Sequence, residues 1–220
     1  MEGIVNRSKK KFTYISSAIT VIIIFIVLFI YISKLISKNA LVTFDHTIIT
    51  AIQSAISDRN TLWMLMITEL GSVKWITIFV ILTAVWLLYK KKYSLAIFMM
   101  AASGIGALFN MWLKWLFKRE RPDILPLLSE ESFSFPSGHA MGSFIFYGSL
   151  AYLIIHLVHK KSWQLFSIVV NALFILFIGL SRIYLGVHFP SDIVGGYLAG
   201  SAWLLSCIIL FRYYEYRHNL

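Results

Sequence analysis

The sequence predicts an all-α, polytopic membrane protein: six transmembrane helices and a short interfacial helix after the first, in one domain over residues 1–220. Three observations carry this. Of the 220 residues 59% are hydrophobic and only 14% charged, too little charge for a water-soluble domain of this length. Several apolar runs approach or exceed ~18 residues, the length needed to cross a bilayer core. The runs are continuous rather than alternating. That argues against a barrel of ~10-residue strands and for helices, which satisfy their own backbone in lipid.

The elements follow in order. Arg7, Lys9, Lys10 and Lys11 precede an apolar run. The order is that of a signal peptide, but the run is too long and no small-x-small cleavage site follows, so 12–33 is read as a retained span. Over 44–58, Phe44, Ile48, Ile49, Ile52 and Ile56 recur at helical spacing, which predicts a helix lying in the interface. Residues 62–70 are too short to cross alone and 73–89 barely suffice. Together they predict one tilted or broken span over 64–89, containing Glu69, Gly71 and Lys74. Glu69 should face the bundle, a site cation or water, and its role stays open. Spans at 94–117, 138–158, 164–185 and 191–211 complete the set. Gly196 and Gly200, a G-x3-G, predict close helix packing within the monomer ahead of dimerisation, and Gly104 and Gly106 predict tight packing or bending. The seven tryptophans fall mostly near span ends, as an aromatic belt does. Cys207, the one cysteine, excludes an intrachain disulfide.

Six spans put the basic start, Lys90–Lys92, Lys160–Lys161, Arg212 and Arg217 on one side. By the positive-inside rule that side is the cytoplasm, with both termini in it. Lys114, Lys118, Arg119, Arg121 and Arg182 fall on the outer side, as do all four prolines. Residues 118–136 read as the rim of a site. The net charge of +10 suits anionic lipid head groups rather than nucleic acid. Lys118 and Arg119 read as solvated loop residues or as rim charges drawing in an anion. Asp45 and His46 read as interfacial polarity, and His156 and His159 as interface anchors.

Segments distant in sequence meet at that surface. One span ends with Lys114, and Arg121 follows seven residues later, on the same face if the helix continues and folded back if it breaks. Another begins at Ser137, Gly138 and His139, whose backbone N–H groups are expected to be free and to point outward at a positive helix end. Arg182, His188 and Asp192 come from the last turn. Arginine forks and a lysine suit phosphate oxygens, and Gly138 lets the backbone approach an oxyanion. His188 and Asp192, four residues apart, pair if the turn is helical. That would fix one ring nitrogen as N–H and leave the other as a nucleophile. His139 is then available as a general acid.

"KWLFKRERP" (114–122) fits K-x6-R-P, "PSGH" stands at 136–139, and "SRIYLGVHFPSD" (181–192) fits S-R-x5-H-x3-D. The three in order resemble the type-2 phosphatidic acid phosphatase family, whose pocket is shared with vanadium haloperoxidases. The resemblance implies an integral-membrane lipid phosphatase acting on a phosphomonoester or pyrophosphate: phosphatidylglycerophosphate, phosphatidate or undecaprenyl pyrophosphate. It implies a phosphohistidine on His188, oriented by Asp192, with His139 as acid. Lys114, Arg121, Ser137, Gly138 and Arg182 would bind phosphate, with no metal and no cofactor. The membrane lipid is the expected partner. Three alternatives remain: a lipid phosphotransferase using the same site, a metal-dependent hydrolase with His139, His188 and Asp192 as ligands, and a non-enzymatic transporter of anionic lipid or phosphate.

Overall fold

The computed structural model describes residues 2–128 and 130–218, with side chains from residue 15 onward. The side chains of Arg7 and Lys9–Lys11 therefore lie outside the described residues. The described chain is all helix: α1 Glu2–Ser37, α2 Val42–Gln53, α3 Asp58–Glu69, α4 Val73–Tyr89, α5 Tyr93–Phe117, α6 Gly138–Leu157, α7 Lys161–Tyr184 and α8 Pro190–Arg217. Five helices are long and apolar enough to cross a membrane, counting α1 from Ile15, and the bent pair α3–α4 makes a sixth. α6 is the hub, packed against α4, α5, α7 and α8, while α1 lies along α8.

The break in the second span falls at residues 70–72, with a bend of 47°. Leu70 ends one helix and Ser72 starts the next, its hydroxyl accepting from Trp75 N at 3.4 Å. Gly71 permits close passage there: a Cβ would collide with the Ile178 side chain of α7 and stand 3.4 Å from the His139 ring. The span begins earlier than 64 because Ser57 caps α3, accepting from Asn60 N at 3.3 Å. The interfacial helix is accordingly shorter than 44–58, ending at Gln53.

That helix also docks differently from expectation. The residues α2 buries are Asp45, Ile49 and Gln53, spaced four apart. Phe44 and Ile56 remain exposed. Ile49 packs with Ala140, Ile183 and Ile193. Gln53 donates to the carbonyls of Tyr184 and Ile124 at 3.4 and 3.5 Å. α2 is thus stapled by polar groups over the α7–α8 turn.

Glycines set the close crossings. A Cβ on Gly196 would stand 2.9 Å from both the Ala140 Cβ and the Ser137 carbonyl oxygen, so α8 meets α6 nearly backbone to backbone. Gly106 fits under Ile145 and Trp203, whose Nε1 donates to Ala102 O at 2.9 Å. Trp203 therefore belongs to the α5–α8 crossing rather than to an aromatic belt. Gly104, expected to pack tightly, has nothing within 4 Å of its Cβ position.

Candidate active site

Helix α5 stops at Lys118, which takes a left-handed conformation (φ 46°) and turns the chain back over the bundle. The loop that follows is tied down by Ser134 N to Arg119 O at 2.8 Å and Leu127 N to Leu185 O at 3.0 Å. Gly186 (φ +73°) makes the facing turn, where a Cβ would be 2.7 Å from the Leu125 carbonyl oxygen. Loop and turn thus close on each other, bringing Arg121 and Ser134 against Val187 and His188.

His188 is buried, with 1% exposure. Its Nδ1 lies 3.3 Å from Asp192 Oδ2 and 3.2 Å from Ser134 Oγ. Its Nε2 lies 3.3 Å from Arg121 Nη1. Asp192, fully buried, receives Phe189 N at 2.9 Å, Arg119 Nη1 at 2.6 Å and the Ser134 hydroxyl. The i, i+4 pairing works because Pro190 opens α8 at its first position, where no N–H is needed, and Asp192 at the third caps the N–H of Phe189. Burial pushes the His188 imidazole down to about 4, although the Asp192 hydrogen bond and charge pull it upward. The ring is neutral near pH 7, and its Nε2 faces the cations.

Those cations converge from three elements. Arg121 donates to Val187 O at 2.6 Å and to Ser132 O and Oγ at 2.7 and 3.0 Å. Lys114 donates to the Phe133 carbonyl. Arg182, 1% exposed, donates to Thr68 Oγ1 at 2.8 Å and to Glu130, while its buried Nε has no partner among the described residues. Glu130 also reaches Arg121, at 3.7 Å. Burial raises the proton affinity of Glu130, but Arg182 and Arg121 outweigh it and hold the carboxyl below its ordinary range. A carboxylate thus bridges the two arginines expected to hold phosphate.

α6 presents its N-terminus to this cluster. The N–H groups of Gly138 and His139 have no hydrogen-bond partner among the described residues. That of Ser137 does, contrary to expectation: it donates to Asp192 O at 3.1 Å. The Ser137 hydroxyl is also engaged, accepting from Ala140 N at 3.4 Å. Ser137 therefore ties α6 to α8. His139 is half-buried and within electrostatic range of Arg182, His188, Lys114 and Arg121.

Sequence reasoning did not assign Asp45, Arg119, Glu130, Ser134 or Thr68 to the site. Arg119 is not a solvated loop residue. It bridges Asp45 and Asp192 at 2.9 and 2.6 Å. Local sequence pattern does not mark Asp45, which lies on the face that α2 buries.

Fold and site together define a class, the membrane-embedded helical lipid phosphatases, and the comparisons agree. Residues 92–218 match the model of the PAP2 superfamily, so the chain belongs to the PAP2 superfamily. It is 33% identical to phosphatidylglycerophosphatase B of Bacillus subtilis (strain 168) over 135 residues, 61% of this chain and 66% of that protein. It is 27% identical to an undecaprenyl-diphosphatase of Sulfolobus acidocaldarius over 191 residues, 83% of this chain and 85% of that one. Among solved structures, the transmembrane PAP2 type phosphatidylglycerolphosphate phosphatase from Bacillus subtilis superposes with a TM-score of 0.80 at 28% identity, covering 89% of this chain and 96% of that one.

Proposed function

We propose that this membrane phosphatase hydrolyses the phosphomonoester or pyrophosphate head group of a membrane lipid by way of a phosphohistidine on His188, at the outer face, with both termini in the cytoplasm. The observation that carries it is the orientation of one imidazole. Nδ1 is engaged by a buried carboxylate, and Nε2 faces Arg121 in a cluster of cations. Nε2 attacks phosphorus in line, the bond from phosphorus to the leaving oxygen breaks, and His139 gives that oxygen a proton. Water then attacks the phosphorus, the P–N bond breaks, and His139 takes up the water proton. Lys114, Arg121 and Arg182, with the N–H groups of Gly138 and His139, hold the equatorial oxygens as charge spreads over them. Ser137 sets the start of α6 rather than donating to phosphate. Glu130 must leave the arginines before phosphate can enter.

A groove of about 280 Å³ supports a lipid substrate. It lies between α4, α5 and α6, is lined by residues such as Val80, Ala107 and Ile145, and reaches Gly138 at the site. A chain in it would place its head group at the N-terminus of α6. The candidate substrates remain phosphatidylglycerophosphate, phosphatidate and undecaprenyl pyrophosphate.

The metal-dependent alternative fits less well. Asp192 is occupied by Arg119, Ser134 and Phe189 N, and a divalent ion on His188 Nε2 would meet the Arg121 guanidinium. The test is phosphate release in detergent from those three lipids and one soluble ester, with and without excess EDTA. The expected result is lipid preference, insensitivity to EDTA, inhibition by vanadate and almost complete loss in His188→Ala. Near-normal turnover by His188→Ala would remove the nucleophile assignment, and equal rates on the soluble ester would remove the lipid assignment.

A further inference from the structure

We propose that Asp45 and Arg119 are positioning residues, a charge relay through which the interfacial helix α2 holds the His188–Asp192 pair in register without touching the phosphate. The inference rests on the reading of His188 as nucleophile and adds to it Asp45, outside the three motifs, and Arg119, at a position the first motif leaves unspecified.

The geometry is specific. Asp45 is 1% exposed. Its Oδ1 accepts from Ser191 N at 2.9 Å, and its Oδ2 accepts from Ser191 Oγ at 2.6 Å and from Arg119 Nη2 at 2.9 Å. Ser191 is the second residue of α8, so Asp45 supplies from another helix the acceptor that an α8 N-terminal N–H lacks. Arg119 Nη1 reaches the same turn, donating to Asp192 Oδ1 at 2.6 Å and Ser191 Oγ at 2.8 Å. Its guanidinium rests 4.1 Å above the Phe189 ring. One planar fork therefore joins two buried carboxylates, a geometry that a lysine ammonium cannot reproduce.

The division of labour on Asp192 follows. Among the described residues its Oδ1 is held by Arg119, while Oδ2 takes Ser134, Phe189 N and His188. Arg119 fixes the rotation of the carboxylate and partly neutralises it, and Asp45 offsets Arg119 from the far side. The groups facing His188 directly stay the same when this relay is changed: Arg121 and Glu130 from the loop, Arg182 from α7, His139 from α6 and Asp192 from α8.

Opposite charge changes must then act oppositely on the imidazole. Asp45→Asn leaves the guanidinium charge unopposed beside Asp192, so His188 takes up a proton less readily. Arg119→Gln leaves Asp192 uncompensated, so His188 takes it up more readily. A staple that merely held α2 in place would give the two variants the same sign or no shift.

The test is an NMR titration of the 15N-histidine-labelled full chain in detergent, with the His188 signal assigned by its loss in His188→Ala. Midpoints displaced in opposite directions, each by about one pH unit as for a nearby charge, are expected. Phosphate release should show kcat down by about tenfold or more, since small misplacements of reacting groups cost up to ~100-fold. KM and vanadate inhibition should stay within about twofold of the parent. Coincident midpoints, or displacements of the same sign, overturn the relay. If Arg119→Gln does not fold, Asp45→Asn decides alone: a midpoint at or above the parent value overturns it. Opposed shifts in a protein that releases no phosphate would leave the relay standing and remove the phosphatase reading.

Discussion

The α6–α8 contact at Gly196 makes a quantitative demand on the site. In Gly196→Ala the new methyl would stand 2.9 Å from the Ser137 carbonyl oxygen, 2.9 Å from the Ala140 Cβ and 3.2 Å from Met141 N, where ordinary contact begins at 3.4 Å. The shortfall is 3.4 − 2.9 = 0.5 Å, and two of the three neighbours are backbone, which cannot rotate away. α6 and α8 must therefore part by about half an ångström. Ser137 N to Asp192 O, 3.1 Å at rest, joins the two helices beside this contact and would be stretched. Overpacking of this kind costs about 1–3 kcal/mol, offset by about 1 kcal/mol of helix propensity gained over glycine. Unfolding in detergent should shift by only a few degrees. The larger effect falls on rate, because His139 rides on α6 while Asp192 rides on α8 and orients His188. A misplacement of ~1 Å costs up to about a hundredfold, so half of it predicts about a tenfold loss of kcat. The assay is initial-rate release from a soluble phosphate ester beside a detergent melting curve, with Gly104→Ala as control, since open space surrounds that Cβ position and a soluble ester does not use the groove it lines. Gly196→Ala with parental kcat would refute the claim that this crossing sets the site.

Four further outcomes follow. With His188 held down to about 4 by burial, phosphohistidine trapped by alkaline quench should form down to near pH 5, where an ordinary imidazole is mostly protonated; an acid limit near 6.5 would contradict this. The same shift means the unfolded chain takes a proton before the native one, so stability contributed by His188 falls as pH drops from about 6.5 toward 4, which detergent melting reads. Glu130→Gln removes the charge that holds Arg182 and Arg121, so vanadate should inhibit at about tenfold or more lower concentration, the low end for one charge-assisted bond; unchanged inhibition would mean the carboxylate does not compete with phosphate. Gly104→Phe, filling the α4–α5–α6 groove, should lower turnover of long-chain lipid phosphate by about tenfold and leave a soluble ester within about twofold; equal loss on both would place the tail elsewhere.

The spans were legible because lipid imposes a length and a composition that no soluble helix needs. The broken second span was legible as one too short in either half. What was not legible was which polar residues of α2 face inward. Asp45 and Gln53 share a face with Ile49, and by composition a carboxylate on an interfacial helix belongs in water. Its burial follows from Ser191 and Arg119, 146 and 74 positions away in sequence. Local pattern cannot register a partner at that range. The glycines divide in the same way: Gly106 and Gly104 look alike in sequence, and only the neighbours of α5 decide that one is crowded and the other open.

The same limit separates the ends of the first motif from its middle. Lys114 and Arg121 are seven residues apart, which on a continuous helix would aim both at one surface. The helix instead ends at Lys118, and the loop carries Arg121 back to Val187 and His188. The reversal leaves Lys118 exposed over Trp115 and turns Arg119 inward between two carboxylates. Neighbours of like charge thus have opposite fates: Lys118 is the left-handed residue at which the chain reverses, and Arg119 is the first residue carried back by the reversal. The spacing of the motif fits a chain reversal as well as it fits two turns of helix. In this chain it is the reversal that brings Arg121 to His188 and Arg119 to Asp192.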